Sequence, residues 1–436
     1  MVRKRVLIIT YYWPPAGGSG VQRWLKLSKY ITDFGYEPII LTVDPEYATY
    51  PTLDLSLEID VAQNVKVYKT KAFNPISIGG RIIGSQSLPK AGFAGGSSKG
   101  LLAQFSLFIR SNIFIPDPRR GWNRYAYKAA KIVLKEEKPD IVITTGPPHS
   151  THLIGYKINQ KFSVPWVADF RDPWIDIYYY QFLNHSKLSR WIDKRLEKKV
   201  IKAANGLLTV SNGLVDLFKS KIKNTNQQFK VIPNGFDPDD FKTAELKVKN
   251  KSTFTITYIG TLSNQYDPAV FFRAIKEILS KQIPINLRFI GTVSSEIKQM
   301  VGCYSLAEIT DFIDTVEHSK VPKMLMESDA LLLLIPSHES EKGILTGKLF
   351  EYLAAMQPII AIGPPGGDAA EIIKECLAGE MFGRDDEEGL KKYIINLMQK
   401  PELLHDQDKI NNYSRKQQAK EVALFLDFCT NNGKVN

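Results

Sequence analysis

Apolar residues in this chain gather in short β-branched runs. Between the runs they recur with the spacing of an amphipathic helix. Val6–Thr10, Pro38–Val43, Val65–Tyr68, Asp140–Thr144, Trp166–Asp169, Gly206–Val210 and Lys230–Ile232 read as strands. Val21–Phe34, Arg124–Glu137, His152–Phe162, Leu188–Ala204 and Gly213–Lys221 read as the helices between them. The second half repeats the plan, with strands at Phe254–Ile259, Asn286–Ile290, Ile309–Ile313, Ala330–Ile335 and Pro358–Ile362. Such alternation is the pattern of parallel sheets built from βαβ units and buried on both faces. The expected fold class is α/β, with two doubly wound domains. The polar stretch Thr243–Lys251 separates them, giving domains at 1–242 and 243–409, and the final Lys400–Asn436 is polar and helical.

Two stretches depart from the plan. Phe73–Lys99 is rich in Gly, Ser and Lys, and a loop of that length within a compact domain is usually functional or mobile. Leu101–Ile115 follows, largely apolar, with Arg110 its only charge. It reads equally as a core helix or as an amphipathic element resting on a membrane. The chain carries 57 Lys+Arg against 46 Asp+Glu, a net +11, which favours anionic partners. Between Lys69 and Lys135 the only acid is Asp117, so this basic region is a candidate surface for anionic lipid. Lys187–Lys202 is a second basic amphipathic stretch.

With 44% hydrophobic and 24% charged residues, disorder of the whole chain is excluded. No run reaches the ~18–20 apolar residues of a spanning helix. Met1–Thr10 is basic then apolar, but Tyr11-Tyr12-Trp13-Pro14-Pro15 follows where a signal peptide would carry a cleavage site. It reads as a first buried strand of a cytoplasmic protein, with the basic region 69–135 placing it on the inner face of the plasma membrane. Cys303, Cys376 and Cys429 lie far apart and read as reduced thiols, not as a disulfide or zinc framework.

Four loops at predicted strand ends carry candidate chemistry. Pro14–Gly20 holds Gly17 and Gly18 between a strand and a helix, where bare backbone and helix N–H groups can meet an anion; Arg23 would add a positive charge. It is neither the GxGxxG fingerprint nor a P-loop. Thr145–His152 follows the fourth strand, and ligands of open α/β sheets bind at such ends. His149 and His152 lack further ligands at metal spacing, so no metal is expected, and His149 is the candidate to reach the site. Asp169-Phe170-Arg171-Asp172 ends the next strand. It reads either as a loop-shaping ion pair or as the floor of a sugar or phosphate site. Last, Gly343–Ile360 opens a helix at Thr346-Gly347, with Lys348 and Glu351 on one face. A phosphate on the helix start and a ribose on Glu351 would fit this pattern; so would a surface Lys–Glu pair.

Taken together, Tyr11-Tyr12-Trp13-Pro14-Pro15 with Gly17-Gly18, Ile232-Pro233-Asn234-Gly235-Phe236-Asp237, Tyr258-Ile259-Gly260-Thr261 and Phe350-Glu351-Tyr352-Leu353-Ala354-Ala355 with Pro358 resemble a family-4 glycosyltransferase. The motifs occur in family order across nearly the whole chain. The resemblance implies a GT-B fold, with two Rossmann-like domains facing a central cleft and a C-terminal helix, about 410–436, packing back on the first. It implies a retaining transferase of the cell-surface polysaccharide or lipopolysaccharide type. A nucleotide-sugar donor binds the second domain, a glycan or lipid-linked acceptor binds the first, and no metal is essential. His149 best matches the family's active-site His, with Asp169, Arg171 and Asp172 beside it. Gly17, Gly18, Arg23, Gly260, Thr261, Thr346, Gly347, Lys348 and Glu351 fall to the donor.

The chain departs from the family twice. The first Glu of the usual pair is replaced by Gly343, with Glu339 and Glu341 out of register, and Thr261–Pro268 contains no Lys or Arg where a diphosphate-binding pair is usual. Lys348, the start of its helix and Arg23 are expected to share that duty. The alternatives are a nucleotide-sugar epimerase or phosphorylase on the same fold, and a basic polyanion-binding protein. No nucleic-acid partner is expected, because no RNA motif with interleaved aromatics is present.

Overall fold

The computed structural model describes residues 3–73, 108, 111–177, 180, 183–222, 227–242, 253–280, 284–338, 341–399 and 405–432. The Gly/Ser loop beyond Phe73, most of the apolar run Leu101–Ile115, and Glu339 lie outside the described residues.

The chain forms two units, one of residues 1–233 and 418–436 and one of residues 234–417. Residues 234–242 therefore go with the second unit. There the Phe236 N–H donates to the Tyr413 carbonyl (3.2 Å) and the Phe236 carbonyl accepts from the Arg415 N–H (2.8 Å).

In the first unit the strands are β1 (Lys4–Ile9), β2 (Tyr36–Val43), β3 (Lys66–Thr70), β4 (Ile141–Gly146), β5 (Trp166–Phe170), β6 (Gly206–Thr209) and β7 (Phe229–Val231). All pair in parallel, in the order β3-β2-β1-β4-β5-β6-β7. The helices are α1 (Ser19–Tyr30), α2 (Asn123–Glu136), α3 (His152–Phe162), α4 (Lys187–Ala203) and α5 (Asn212–Lys221). The two-residue alternation of β1 sends Val6 and Ile8 to one core, beside Trp24 and Leu25 of α1. Leu7 and Ile9 go to the other, beside Ala126 and Ala130 of α2, Ile158 of α3 and Val200 of α4. The apolar part of the chain's start, Val6–Ile9, is thus a strand covered on both faces.

The last helix, Arg415–Asn432, contributes Ala419, Val422, Ala423, Phe425, Leu426 and Cys429 to the α1 side of this sheet. Each large apolar side chain so buried contributes roughly 1.5–3 kcal/mol. The partly exposed pairs Lys4–Asp427 and Lys230–Glu421 (2.6 Å each) contribute at most about 1 kcal/mol apiece. Apolar burial therefore seats this helix.

In the second unit the helix α6 (Pro238–Lys242) precedes the strands β8 (Phe254–Ile259), β9 (Ile285–Ile290), β10 (Thr310–Ile313), β11 (Ala330–Leu334), β12 (Ile359–Ile362) and β13 (Gly379–Phe382). They form a parallel sheet in the order β10-β9-β8-β11-β12-β13. The helices are α7 (Ala269–Leu279), α8 (Ser295–Cys303), α9 (Val321–Met326), α10 (Gly347–Ala355), α11 (Asp368–Glu375), α12 (Glu387–Gln399) and α13 (Gln407–Asn411); Arg415–Asn432 is α14. Buried Leu349, Phe350 and Leu353 hold α10 on the sheet. Its Tyr352 hydroxyl accepts from the Ile259 N–H (3.1 Å) and donates to the Leu332 carbonyl (3.2 Å). One phenol thereby fixes α10 to both β8 and β11.

Among the described residues no helix is long and apolar enough to cross a membrane, and no three His, Cys, Asp or Glu side chains come together as a metal cluster.

Candidate functional site

In each sheet the strand order reverses once, between β1 and β4 in the first unit and between β8 and β11 in the second. Loops leaving the carboxyl ends of strands diverge at such a reversal, and the crevice left there receives ligands.

In the first unit two of the expected residues are turned into the protein and paired with each other. Arg23 and Asp169 are fully buried and bound to each other: Nη2 lies 2.9 Å from Oδ1, and Nε donates to Oδ2 at 3.2 Å. Arg23 Nη1 also donates to the carbonyls of Ile232 (2.8 Å) and Pro233 (3.1 Å). Asp169 further accepts from Trp24 Nε1 (2.7 Å) and the Thr145 hydroxyl (2.9 Å). Every donor and acceptor direction of the pair points into protein. Arg23 and Asp169 thereby tie α1, β5 and the chain after β7 together.

Arg171 has a related task. Its Nε donates to the Gly146 carbonyl (3.1 Å) and its Nη2 to the Pro147 carbonyl (2.9 Å). A Cβ at Gly20 would lie 2.4 Å from Nη1, so the glycine lets the guanidinium rest on the first turn of α1. Arg171 thus puts a positive charge at the β1/β4 reversal. Gly18, exposed at φ +97°, precedes α1, which no side chain caps, and the Gly17 N–H is bound to the Thr52 carbonyl (3.0 Å). Asp172 beside Arg171 is half-buried, and burial raises its pKa.

His149 stacks on Trp174, with centroids 5.1 Å apart and planes 8° apart. Burial first, then the fields of His152 and Arg171, hold its pKa well below the usual range, so the ring is neutral at pH 7. It donates to the Pro173 carbonyl, while buried Nδ1 has no partner. Nδ1 is therefore the unprotonated acceptor and Nε2 the donor. His152 packs inside: the Thr144 hydroxyl accepts from Trp166 Nε1 (2.8 Å) and lies 2.9 Å from His152 Nδ1. Burial pushes the His152 pKa down to about 3.

Trp174 and Asp193 were not visible as site residues in the sequence. Trp174 Nε1 donates to Asp193 Oδ1 (2.6 Å), and the Tyr180 hydroxyl donates to Oδ2 (2.9 Å). Burial pushes this carboxyl up to about 7. The available signal was two acids, Asp193 and Glu197, one turn apart on one face of the otherwise basic α4.

In the second unit Gly260 follows β8 at φ +105°, a conformation that favours glycine. A Cβ there would lie 2.6 Å from Lys348 Cε, so the lysine runs across the bare backbone. Its Nζ donates to the Tyr258 hydroxyl (2.5 Å), which donates onward to the Thr261 carbonyl (2.8 Å). The ammonium also faces the rings of Tyr258 and Tyr266, 4.3 and 5.4 Å away. Burial lowers the Lys348 pKa to about 7, with Glu351 opposing the shift.

Glu351 is half-buried one turn along α10 and lies 3.3 Å from His318 Nε2, so the bland surface Lys–Glu pair is not what forms. Thr346 precedes Gly347 at the helix start; its buried hydroxyl oxygen has no partner, and no side chain caps the helix. Helix N–H groups, that hydroxyl and Lys348 together form a place for an anion. Glu341, out of register with the missing acid at Gly343, lies 2.8 Å from Arg384.

Residues 95–240 match Glycosyltransferase Family 4, and residues 239–417 match Glycosyl transferases group 1. No curated protein matches the sequence. The sucrose-phosphate synthase of Thermosynechococcus elongatus is similar in structure over 99% of this chain and 97% of its own (13% identity, TM-score 0.59). WaaG, a glycosyltransferase involved in lipopolysaccharide biosynthesis, is similar over 99% of both chains (12% identity, TM-score 0.53). A TarM variant from S. aureus, solved in complex with fondaparinux, α-GlcNAc-glycerol and UDP, covers 99% of this chain and 98% of its own (11% identity, TM-score 0.51). The two family matches abut and run through most of the chain: it belongs to the family-4 glycosyltransferases of GT-B fold.

Proposed function

We propose that this enzyme moves a sugar from a nucleotide-diphosphate sugar, held by the second unit, to an acceptor hydroxyl at the first unit, with retention at the anomeric carbon. The observation that carries the reading is Lys348 lying across Gly260 at the β8/β11 reversal, beside the uncapped start of α10 and one turn from Glu351. Leaving of the sugar puts charge on the diphosphate. The amides of Gly347 and Lys348, the Thr346 hydroxyl and the Lys348 ammonium oppose that charge as it grows, with no reorganisation needed. Glu351 takes the ribose hydroxyls.

In the first unit the neutral His149, Asp172 and the Arg171 charge orient the acceptor. The departing phosphate can take its proton, because attack comes from the same face. The TarM complex contains UDP and WaaG is involved in lipopolysaccharide biosynthesis, which supports a nucleoside diphosphate donor and a surface-glycan acceptor; in our reading that acceptor is lipid-linked and reached from the cytoplasmic face of a membrane.

The test is release of UDP or GDP from sugar nucleotides in EDTA, with and without acceptor glycans. Acceptor-dependent release supports transfer. An epimerase would interconvert the sugar with no acceptor, and a phosphorylase would need inorganic phosphate. Absence of binding to any nucleoside diphosphate overturns the reading.

A further inference from the structure

The outer surface of α2, α3 and α4 in the first unit holds a groove of about 550 Å³, a size typical of small-ligand sites. Arg120, Arg124, Lys128, Lys157 and Lys199 surround it, and no acidic side chain lines it. Among the described residues none of the five forms an ion pair. Its floor is apolar: Leu153 of α3, Leu196 of α4, and the rings of Tyr127 and Tyr156. Lys199 Nζ stands 4.4 Å over the Tyr156 ring, and Lys157 Nζ stands 5.9 Å over Tyr127, so the ammonium groups are held at the rim of aromatic walls.

A second feature leads into the groove. Leu188, Trp191, Arg195 and Lys199 form one stripe along the solvent face of α4, at helical spacing, opposite buried Val200 and Glu197. Leu188 is 67% and Trp191 57% exposed. Arg195 lies 5.3 Å over the Trp191 ring. Apolar and aromatic groups at one end of the stripe give way to cations at the groove. A water-soluble polyanion would use the cations and leave the apolar floor and the exposed indole unexplained. An amphiphile uses both.

We propose that this groove binds an anionic lipid, with its phosphate among Arg124, Lys128, Lys157 and Lys199 and its chain along Leu153, Leu196, Tyr127 and Tyr156. Leu188 and Trp191 enter the interface beside it, as amphipathic interfacial helices do. The site deepens the membrane element of the reading above and is independent of sugar transfer, since none of its residues lies in either strand-end site.

Full-length protein is floated with phosphatidylcholine vesicles, with and without about 30 mol% phosphatidylglycerol to supply the anionic surface. Binding is expected only with the anionic lipid. Each lysine at such a surface changes affinity about five-fold, so Lys128→Ser with Lys199→Ser should weaken binding about 25-fold. Lys161→Ser with Lys202→Ser removes the same charge from exposed positions of α3 and α4 outside the groove, and should change binding less than two-fold.

All four lysines are exposed, so unchanged thermal melts are expected for both variants. Dioctanoyl-phosphatidylglycerol should displace the protein from vesicles, while inorganic phosphate or poly(U) in tenfold excess should not. Equal losses in the two double variants overturn the proposal, as does indifference of the wild type to the anionic lipid. Displacement by phosphate assigns the groove to a soluble anion, and displacement by poly(U) assigns it to nucleic acid; either result also overturns it. Nucleotide release by the wild type is read separately: its absence with vesicle binding intact counts against the transferase reading, not against the groove.

Discussion

The pH dependence of nucleotide binding should be set by one lysine. In the free protein Lys348 has a pKa of about 7, because its ammonium is packed against Tyr258 and Tyr266. A diphosphate about 4 Å away would attract it by roughly 4 kcal/mol at an effective dielectric constant of 20. At about 1.4 kcal/mol per pH unit this raises the lysine by roughly three units in the complex. Binding between about pH 7 and pH 10 is then accompanied by proton uptake. Affinity should fall toward tenfold per pH unit above 7, about fifty-fold between pH 7 and pH 9. Calorimetric titration with UDP, in two buffers of different ionisation enthalpy, gives both the dissociation constant and the number of protons taken up. Lys348→Arg keeps the charge at both pH values and should flatten the profile. A wild-type Kd that is constant from pH 7 to pH 9, or a slope that survives in the arginine variant, refutes the placement of Lys348 on the diphosphate.

Glu351→Gln should weaken nucleotide-sugar binding about ten- to a hundred-fold while leaving the melting temperature nearly unchanged, since one charge-assisted hydrogen bond is worth roughly 1.5–3 kcal/mol; unaltered affinity would remove Glu351 from the ribose. Asp193 has a pKa of about 7 in the fold against about 3.9 unfolded, so its contribution is full below pH 4 and is lost as pH rises to 7. Asp193→Asn should therefore abolish a loss of up to roughly 4 kcal/mol over that window and melt higher than wild type at pH 8, and a lower melt there would contradict the assignment. Arg23→Met should cost about 3–5 kcal/mol in urea unfolding, because it strands the Asp169 carboxylate, and UDP affinity should stay within two-fold. A selective loss of UDP binding would return Arg23 to the donor site.

The strands were legible because parallel sheets covered on both faces demand continuous apolar runs, as Val6–Ile9 and Ala330–Leu334 show. The edge strand β13 gave no such run: Gly379, Glu380 and Met381 are not buried, and only Phe382 is. The helix start at Thr346–Lys348 was legible from local spacing. The partner of Lys348 was not, because Tyr258 lies 90 positions away. The same limit hid the partner of Arg23. A lone arginine on the first helix looked free to meet a phosphate, and its carboxylate partner stands 146 positions later. Asp169-Phe170-Arg171-Asp172 read as one polar cluster, but β5 ends at Phe170, so Asp169 belongs to the buried strand and Arg171 and Asp172 to the loop after it. Asp169 goes inward, while Arg171, just past the end of β5, binds two carbonyls of the neighbouring loop.

The order in which this chain is made differs from the order in which its parts can be finished. Every strand of the first sheet has been synthesised by Val231, yet residues from Gln418 onward complete the α1 side of that sheet. Phe425 and Cys429 crowd Gly206 so closely that a Cβ there would lie 2.7 and 2.6 Å from them. During translation the first unit must wait, with one apolar face uncovered, while the whole of residues 234–417 leaves the ribosome. A nascent chain stalled near residue 400 should therefore recruit holdase chaperones and be nicked readily within 1–233. The second unit, contiguous in sequence, should acquire protease resistance as soon as it has emerged. Truncation before Gln418 would then damage the amino-terminal half of the enzyme more than residues 234–417.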